Sequence, residues 1–425
     1  KAKSLGVELF VLDDGWFGDR NTDTAGLGDY DVNLRKLPGG LGDFSKRIED
    51  MGMHFGLWFE PESVNVDSKL YRAHPDWAIK PPKGEPSFGR NQLLLDLTQS
   101  CVRDYIVESV GNVLDSAKIS YVKWDMNRHM SDAYSKQLDN QGEFYHRYIL
   151  GLYEILGRIF GPRPHILFES CSSGGNRFDL GMLCYSPQVW SSDDTDPIER
   201  LDIQGGLSYL YPQSTMGAHV SAAPHQQTLR DTPLSTRFNV AAFGALGYEL
   251  EFKYMSRVEL KEIKGQIEFY KKHRKTLQFG RFYRFDERKD NKVHWQISAP
   301  DGSEHIVGHF QKLCTASEGY DELPVKGLDK NARYRLKCKT QSLFIKRLGG
   351  LVKHVMPIEL NPDGFILRTA NKFFAMPDGA ENLEASGAAL MSGIKLNNQF
   401  LGTGYNDRIH MFGDFGSAIY TIEKL

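Results

Sequence analysis

The sequence predicts an α/β chain: a TIM-type (β/α)8 barrel lacking its first strand, followed by a small antiparallel β-sandwich domain. Three observations predict this. Between Val7 and Glu251, short apolar runs that end in polar residues alternate with helix-like or loop stretches. Most of those runs are continuously apolar rather than alternating, as expected of strands buried on both faces of a parallel sheet. After Gly280 the texture changes to short β-rich runs separated by Gly, Asp, Asn and Pro turns.

The barrel runs, in order, are "VELFVLDDGW", "MHFGLWFEPE", "ISYVKWDMN", "HILFESCSSGG", "QVWSSDDTD", "TMGAHVSAAPH" and "AFGALGYELE". They number seven, and a closed barrel needs eight, so the missing strand is expected before Lys1. Between them, "CVRDYIVESVGNVLDSAK" places Val102, Ile106, Val110, Val113 and Leu114 on one helical face, after a cap signal at Thr98/Ser100. "HPDWAIKPPKGEPSFGRNQLLLD" is too rich in Pro and Gly for a helix and is expected to be a long active-site loop. A last helix over about Ser256 to Leu277 carries Leu260, Ile263, Ile267 and Tyr270 on one face. The β-rich runs "RFYRFD", "KVHWQISA", "EHIVGHFQ", "ARYRLKCK", "GFILRTA" and "SAIYTIEKL" then follow. The expected domains are residues 1–280 and 281–425, with no catalytic cluster in the second.

Bulk properties exclude several classes. The 425 residues carry 52 basic against 54 acidic side chains, a net charge of −2 that gives no electrostatic reason for a nucleic-acid or anionic-membrane partner. No 18-residue apolar run exists to span a bilayer. The five cysteines, Cys101, Cys171, Cys184, Cys314 and Cys338, are scattered without a CxxC pair, which fits neither a disulfide framework nor a zinc site. A cytoplasmic setting is expected.

If the seven runs are barrel strands, their last residues meet on one rim. That rim holds Asp13, Asp14, Trp16, Trp58, Glu60, Lys123, Asp125, Asn127, Glu169, Cys171, Trp190, Asp193, Asp194 and Asp196. Carboxylates accept paired hydrogen bonds from neighbouring sugar hydroxyls, and an indole face packs on the C–H face of a pyranose. The rim therefore points to a neutral polyhydroxylated ligand, with Trp16, Trp58 and Trp190 as an expected platform. Glycoside hydrolysis needs one ionised and one protonated carboxyl. Lys123, two residues from Asp125 on the same face, favours the ionised form of Asp125. Beside Asp194 and behind Trp190, Asp193 is expected to feel like charge and partial desolvation, which favour the protonated form. The residues alone do not choose between Asp193 and Asp194. "DDTD" has no His or Cys partner at metal spacing, so no metal or other cofactor is expected. A Cys171 nucleophile with His219 as base is the less favoured reading, because a lone Cys on a buried strand usually packs.

"FVLDDGWFG", "GLWFEPE", "GRNQLLLDL", "YVKWDMNR", "FESCSSGGNRFD" and "WSSDDTD" together resemble glycoside hydrolase family 36, the bacterial α-galactosidases, in order from about Leu9 to Glu251. The resemblance implies that Asp125 is the nucleophile and Asp193 the acid/base. It implies that Asp13 and Asp14 bind the axial 4-hydroxyl and the 6-hydroxyl of galactose. It also implies that Trp58, Arg90, Lys123, Asn127, Cys171, Gly174 and Trp190 line the sugar pocket. The implied activity is retaining, exo-acting hydrolysis of α-galactosides such as melibiose and raffinose, with the two carboxyls about 5–5.5 Å apart. The implied assembly of the full-length parent is a homo-oligomer. The alternatives are an α-N-acetylgalactosaminidase, a galactosyl-transferring relative, or a non-catalytic sugar-binding protein.

Overall fold

The computed structural model describes residues 1–285, 291–315, 321–351, 353, 359–361, 364–379, 381–396, 410 and 412–425. The chain divides into two compact units, Ala2–Asp193 and Asp194–Leu425, the latter taking Lys1 as well.

In the first unit five strands pair in parallel in the order Leu9–Leu12, His54–Phe59, Tyr121–Trp124, Leu167–Ser170 and Gln188–Trp190. Their burial explains their composition. Phe55, Leu57, Phe59, Val122, Trp124 and Phe168, which share one face of the sheet, are all at most 2% exposed, and on the other face Trp58 and Tyr121 are buried as well. Each such side chain contributes roughly 1.5–3 kcal/mol by leaving water. The helix Phe144–Phe160 buries Phe144, Tyr148, Leu152, Ile155 and Ile159, a stripe at three- and four-residue spacing. Gly151 sits on that stripe because a Cβ there would come within 2.3 Å of the Leu97 carbonyl oxygen. The helix Ser100–Asp115 buries Val102, Ile106, Val110, Val113 and Leu114, as its periodicity predicts. Its cap differs from expectation: Gln99 is the N-cap and its side chain makes no capping bond, donating instead to Asp96 Oδ2 at 3.1 Å. The Thr98 hydroxyl is instead satisfied by Asp96 Oδ1 at 2.6 Å.

The Pro/Gly-rich connection is only partly a loop. Leu93–Leu94 pairs antiparallel with Ser63–Val64, and Ala78 bridges to Leu95. All the leucines of "QLLLDL" are buried, so their apolar surface ties the connection down.

In the second unit Met216–Val220 and Ala245–Tyr248 pair in parallel. The helix Arg257–Phe279 starts at a capping box between Ser256 and Glu259, in which both orphan N–H groups are satisfied. It is followed by a six-stranded antiparallel sheet in the order Arg281–Phe285, Lys292–Ser298, Glu304–Gln311, Ser417–Lys424, Arg333–Cys338, Asn382–Ser386. Arg333–Cys338 alternates exposed and buried, turning Tyr334, Leu336 and Cys338 inward. Five of the six β-rich runs are strands of this sheet. The sixth, "GFILRTA", is a helix, Phe365–Ala370. Strand pairing would have buried alternate residues there, but Phe365 and Ile366 are both exposed, and only Leu367 enters the small cluster with Leu343, Ile345, Leu348 and Met376. The seven parallel strands, five in one unit and two in the other, are the predicted barrel runs, all present.

Candidate active site

Every predicted site residue lies in the first unit, at or just beyond the C-terminal end of a parallel strand or in the connection between strands. Asp125 directly follows the strand Tyr121–Trp124. Its N–H donates to the Phe59 carbonyl at 2.7 Å, which fixes the backbone. Its carboxylate is buried, 7% exposed, and accepts from Trp58 Nε1 at 3.2 Å on Oδ2 and from the Met126 N–H at 2.9 Å on Oδ1. Both oxygens are therefore aimed. The buried Cys171 thiol neighbours the same carboxylate, and burial followed by the Asp125 charge pushes the thiol up. That environment holds the sulfur as a thiol, against the cysteine-nucleophile reading.

Lys123 does not serve Asp125 alone. Its ammonium lies 3.4 Å from Asp13 Oδ2 and above the Trp190 ring, 5.7 Å from the centroid. Burial alone would lower its pKa, but Asp13, then Glu169, Cys171 and Asp125, outweigh it and raise it. The lysine is thus locked in its charged form among acids. Asp13 also accepts the Asp14 N–H at 2.8 Å. Asp14 is held by Arg20, whose Nε and Nη2 donate to it at 3.0 and 2.8 Å. Both aspartates are exposed, leaving carboxylate surface towards solvent.

Asn127 is clamped by Glu60. Its N–H donates to Glu60 Oε1 at 2.7 Å and its Nδ2 to Oε2 at 3.1 Å, while its Oδ1 accepts from the Ser173 hydroxyl at 3.2 Å. Burial, followed by the neighbouring Asp125 charge, pushes the Glu60 carboxyl up to about 7. Arg90, exposed and in left-handed backbone with φ +50, weakly opposes that rise. Gly174, at φ +89, lets the backbone of "CSSGG" approach the next strand end. A Cβ there would sit 3.0 Å from Ser192 Cα and 3.1 Å from Asp193 N.

Asp193 follows Trp190, whose indole Nε1 donates to its Oδ1 at 2.9 Å. Its side chain is exposed, so the partial desolvation expected from the sequence is absent. Trp190 is the buried partner of the two, 4% exposed. In the second unit, the Asp194 carboxylate accepts the Asp196 N–H at 3.0 Å and lies 3.7 Å from His225 Nδ1. Asp196 caps the helix Pro197–Leu207 by accepting from the Ile198 N–H at 2.8 Å. The tetrapeptide "DDTD" is thus split into three different tasks.

The tryptophan platform is corrected in part. Trp16 is a core residue, 2% exposed, with its indole donating to the Trp58 carbonyl at 2.9 Å. Trp58 is buried as well and stacks on Phe17. It meets the site through its N–H.

Sequence reading placed Glu60 and Glu169 on the rim but missed Glu62 and the polar layer it anchors. Glu62, fully buried, accepts from Trp124 Nε1 at 2.8 Å, Tyr148 Oη at 3.0 Å and Arg177 Nη1 at 3.0 Å. Glu169 accepts from Tyr121 Oη at 2.7 Å and from Gln188. The only sequence signal was two glutamates in "FEPE" straight after an apolar strand.

Parallel strands of a (β/α) barrel, ending in oriented carboxylates and indole N–H groups, define the class: a TIM-type barrel with a carboxylate-lined site at the strand ends. Comparison with known proteins narrows this. The Melibiase family profile matches residues 1–280, and that of the glycosyl hydrolase family 36 C-terminal domain matches residues 292–422. The chain belongs to glycoside hydrolase family 36. It is 50% identical over 339 residues to alpha-galactosidase AgaA of Geobacillus stearothermophilus, covering 79% of this chain and 46% of that protein. The crystal structure of AgaA superposes with a TM-score of 0.84 and 42% identity, covering 100% of this chain and 52% of that one. A variant of the same enzyme solved in complex with raffinose gives a TM-score of 0.84 at 41% identity, with the same coverage. The chain thus spans about half the length of the curated relatives it matches.

Proposed function

We propose that this chain is the catalytic part of a retaining, exo-acting α-galactosidase. The observation that carries the reading is the Asp125 carboxylate, buried at a strand end with each oxygen aimed by its own N–H donor. The named activity of the relatives and the raffinose bound to one of them support it. In the first step an Asp125 oxygen forms a bond to the anomeric carbon of a terminal α-galactoside. The bond to the leaving oxygen breaks, and that oxygen takes a proton from Asp193. In the second step Asp193 removes a proton from water, which attacks the same carbon and releases Asp125, giving net retention. Asp193 is favoured over Asp194 because its exposed carboxyl can reach a leaving group, whereas Asp194 is tied to a backbone amide.

Asp13, Asp14, Lys123, Asn127, Arg90 and Cys171 are the proposed galactose ligands, with Trp58, Trp190 and Gly174 shaping their frame. The substrates on this reading are oligosaccharides of the melibiose and raffinose type. The domain division at Gly280, the cytoplasmic setting and the homo-oligomeric parent belong to the same proposal. Among the described residues, no helix is long and apolar enough to cross a membrane.

NMR of an aryl α-galactoside incubated with the chain tests the mechanism. α-Galactose is expected as the first sugar released, and D125N is expected to lose most turnover while still binding galactose. β-Galactose appearing first, or wild-type turnover by D125N, would overturn the assignment.

A further inference from the structure

Far along the sequence from the proposed site, the β domain gathers a second set of reactive side chains. Cys338 ends the strand Arg333–Cys338, Glu381 directly precedes the neighbouring strand Asn382–Ser386, and His410 comes from a third segment. The Cys338 N–H donates to the Glu381 carbonyl at 2.8 Å, which ties the first two together. One ligand atom from each residue, the thiol sulfur, a carboxylate oxygen and an imidazole nitrogen, all lie within 4.8 Å of one another. The three residues are 2%, 7% and 0% exposed.

The histidine is oriented. Its Nδ1 lies 3.0 Å from Asp378 Oδ1, so Nε2 faces Glu381 and the Tyr420 hydroxyl, the latter at 3.4 Å. A carboxylate on one imidazole nitrogen, with the other turned to a thiol and a second carboxylate, is the arrangement of a metal-binding histidine and its outer support. Sulfur, nitrogen and oxygen donors in one set suit zinc rather than magnesium or calcium, which want oxygen alone.

We propose that Cys338, Glu381 and His410 form a buried structural site for a zinc-class divalent cation, with Asp378 orienting the histidine. The fourth position falls to the Tyr420 hydroxyl or to water. Cation entry displaces two protons to solvent, one from the Cys338 thiol and one from His410 Nε2. Without the ion, burial pushes the Cys338 thiol up. Burial would push His410 down, but bonds to Asp378, Cys338 and Glu381 raise it well above its ordinary value. The competing arrangement is therefore an imidazolium bridging two carboxylates. That arrangement accounts for Asp378 and Glu381 and leaves the sulfur a long bond to the Lys339 carbonyl at 3.6 Å.

The test uses the whole chain, stripped with a chelator, desalted and given an equimolar amount of zinc chloride. About one zinc per chain should survive a second desalting. C338S, an isosteric change that keeps the fold, should retain at least tenfold less. Zinc should raise the melting temperature of the wild type and not that of C338S. Cobalt(II) in place of zinc should show a thiolate-to-cobalt charge-transfer band in the wild type only. Equal zinc retention by C338S, or a cobalt spectrum without the thiolate band, would overturn the site and leave the imidazolium bridge. None of these readouts depends on sugar turnover.

Discussion

Replacing Glu60 by glutamine removes a buried charge while keeping its shape, and the consequence can be worked out. Glu60 Oε1 accepts the Asn127 N–H, and Oε2 accepts Asn127 Nδ2 at 3.1 Å and Gln92 Nε2 at 3.3 Å. A glutamine oxygen can keep the Asn127 N–H, which puts its NH2 in front of two donors. Gln92 can relieve one clash by turning its amide, because its Oε1 is buried without a partner. Asn127 cannot do so as easily, since its Oδ1 already accepts from Ser173. One hydrogen bond to Asn127 is lost, at about 1–3 kcal/mol.

Against this stands the charge itself. Glu60 rises from an ordinary 4.5 to about 7 through burial and then the Asp125 charge. A carboxyl with a raised folded pKa contributes stability that is fully present below about pH 4.5 and is lost as pH climbs through about 7. Above that, the ionised group burdens the native state by on the order of 3 kcal/mol. E60Q does not titrate. Relative to the wild type it should be less stable by about 1–3 kcal/mol near pH 4.5. It should then gain on the wild type by roughly 3 kcal/mol as pH rises to about 8. Urea unfolding of both proteins across that range measures the difference directly. A difference that stays flat with pH, or moves the other way, would refute the electrostatic reasoning. On the proposed mechanism, E60Q should also lower kcat by freeing Asn127.

Two further substitutions probe the frame. G174A puts a side chain at φ +89 and a Cβ 3.0 Å from Ser192 Cα, so about 1–3 kcal/mol of stability and much of kcat should go, read by thermal melting and initial rates; an unchanged kcat would show that Asp193 is not positioned through this contact. E62Q leaves Arg177 facing a neutral amide in a fully buried setting, and about 3–5 kcal/mol should be lost in urea unfolding. A loss below about 1 kcal/mol would mean that the Glu62–Arg177 pair is not what holds this layer.

The strand-end chemistry was legible because a parallel barrel writes it into the sequence. Strands buried on both faces must be continuously apolar, so the first polar residues after each run mark the rim, and "YVKWDMNR" and "WSSDDTD" were found that way. The capping box at Ser256 and Glu259 was equally local, being complete within four residues. "GFILRTA" was misread because its composition suits a strand and only its neighbours decide that Leu367 alone is buried. The fate of Trp16 was likewise hidden: a tryptophan at a strand end is platform or core according to what packs over it.

By itself, then, the sequence determined the seven parallel strands, the family and the two carboxylates to test. These depend on periodicity and on contiguous motifs. Only the tertiary structure decided who holds whom: Glu60 on Asn127, Asp13 on Lys123, Glu62 on Arg177, and Cys338 beside Glu381 and His410. Those partners lie tens to more than a hundred residues apart, and no period in a chain records which distant polar groups burial will force to meet.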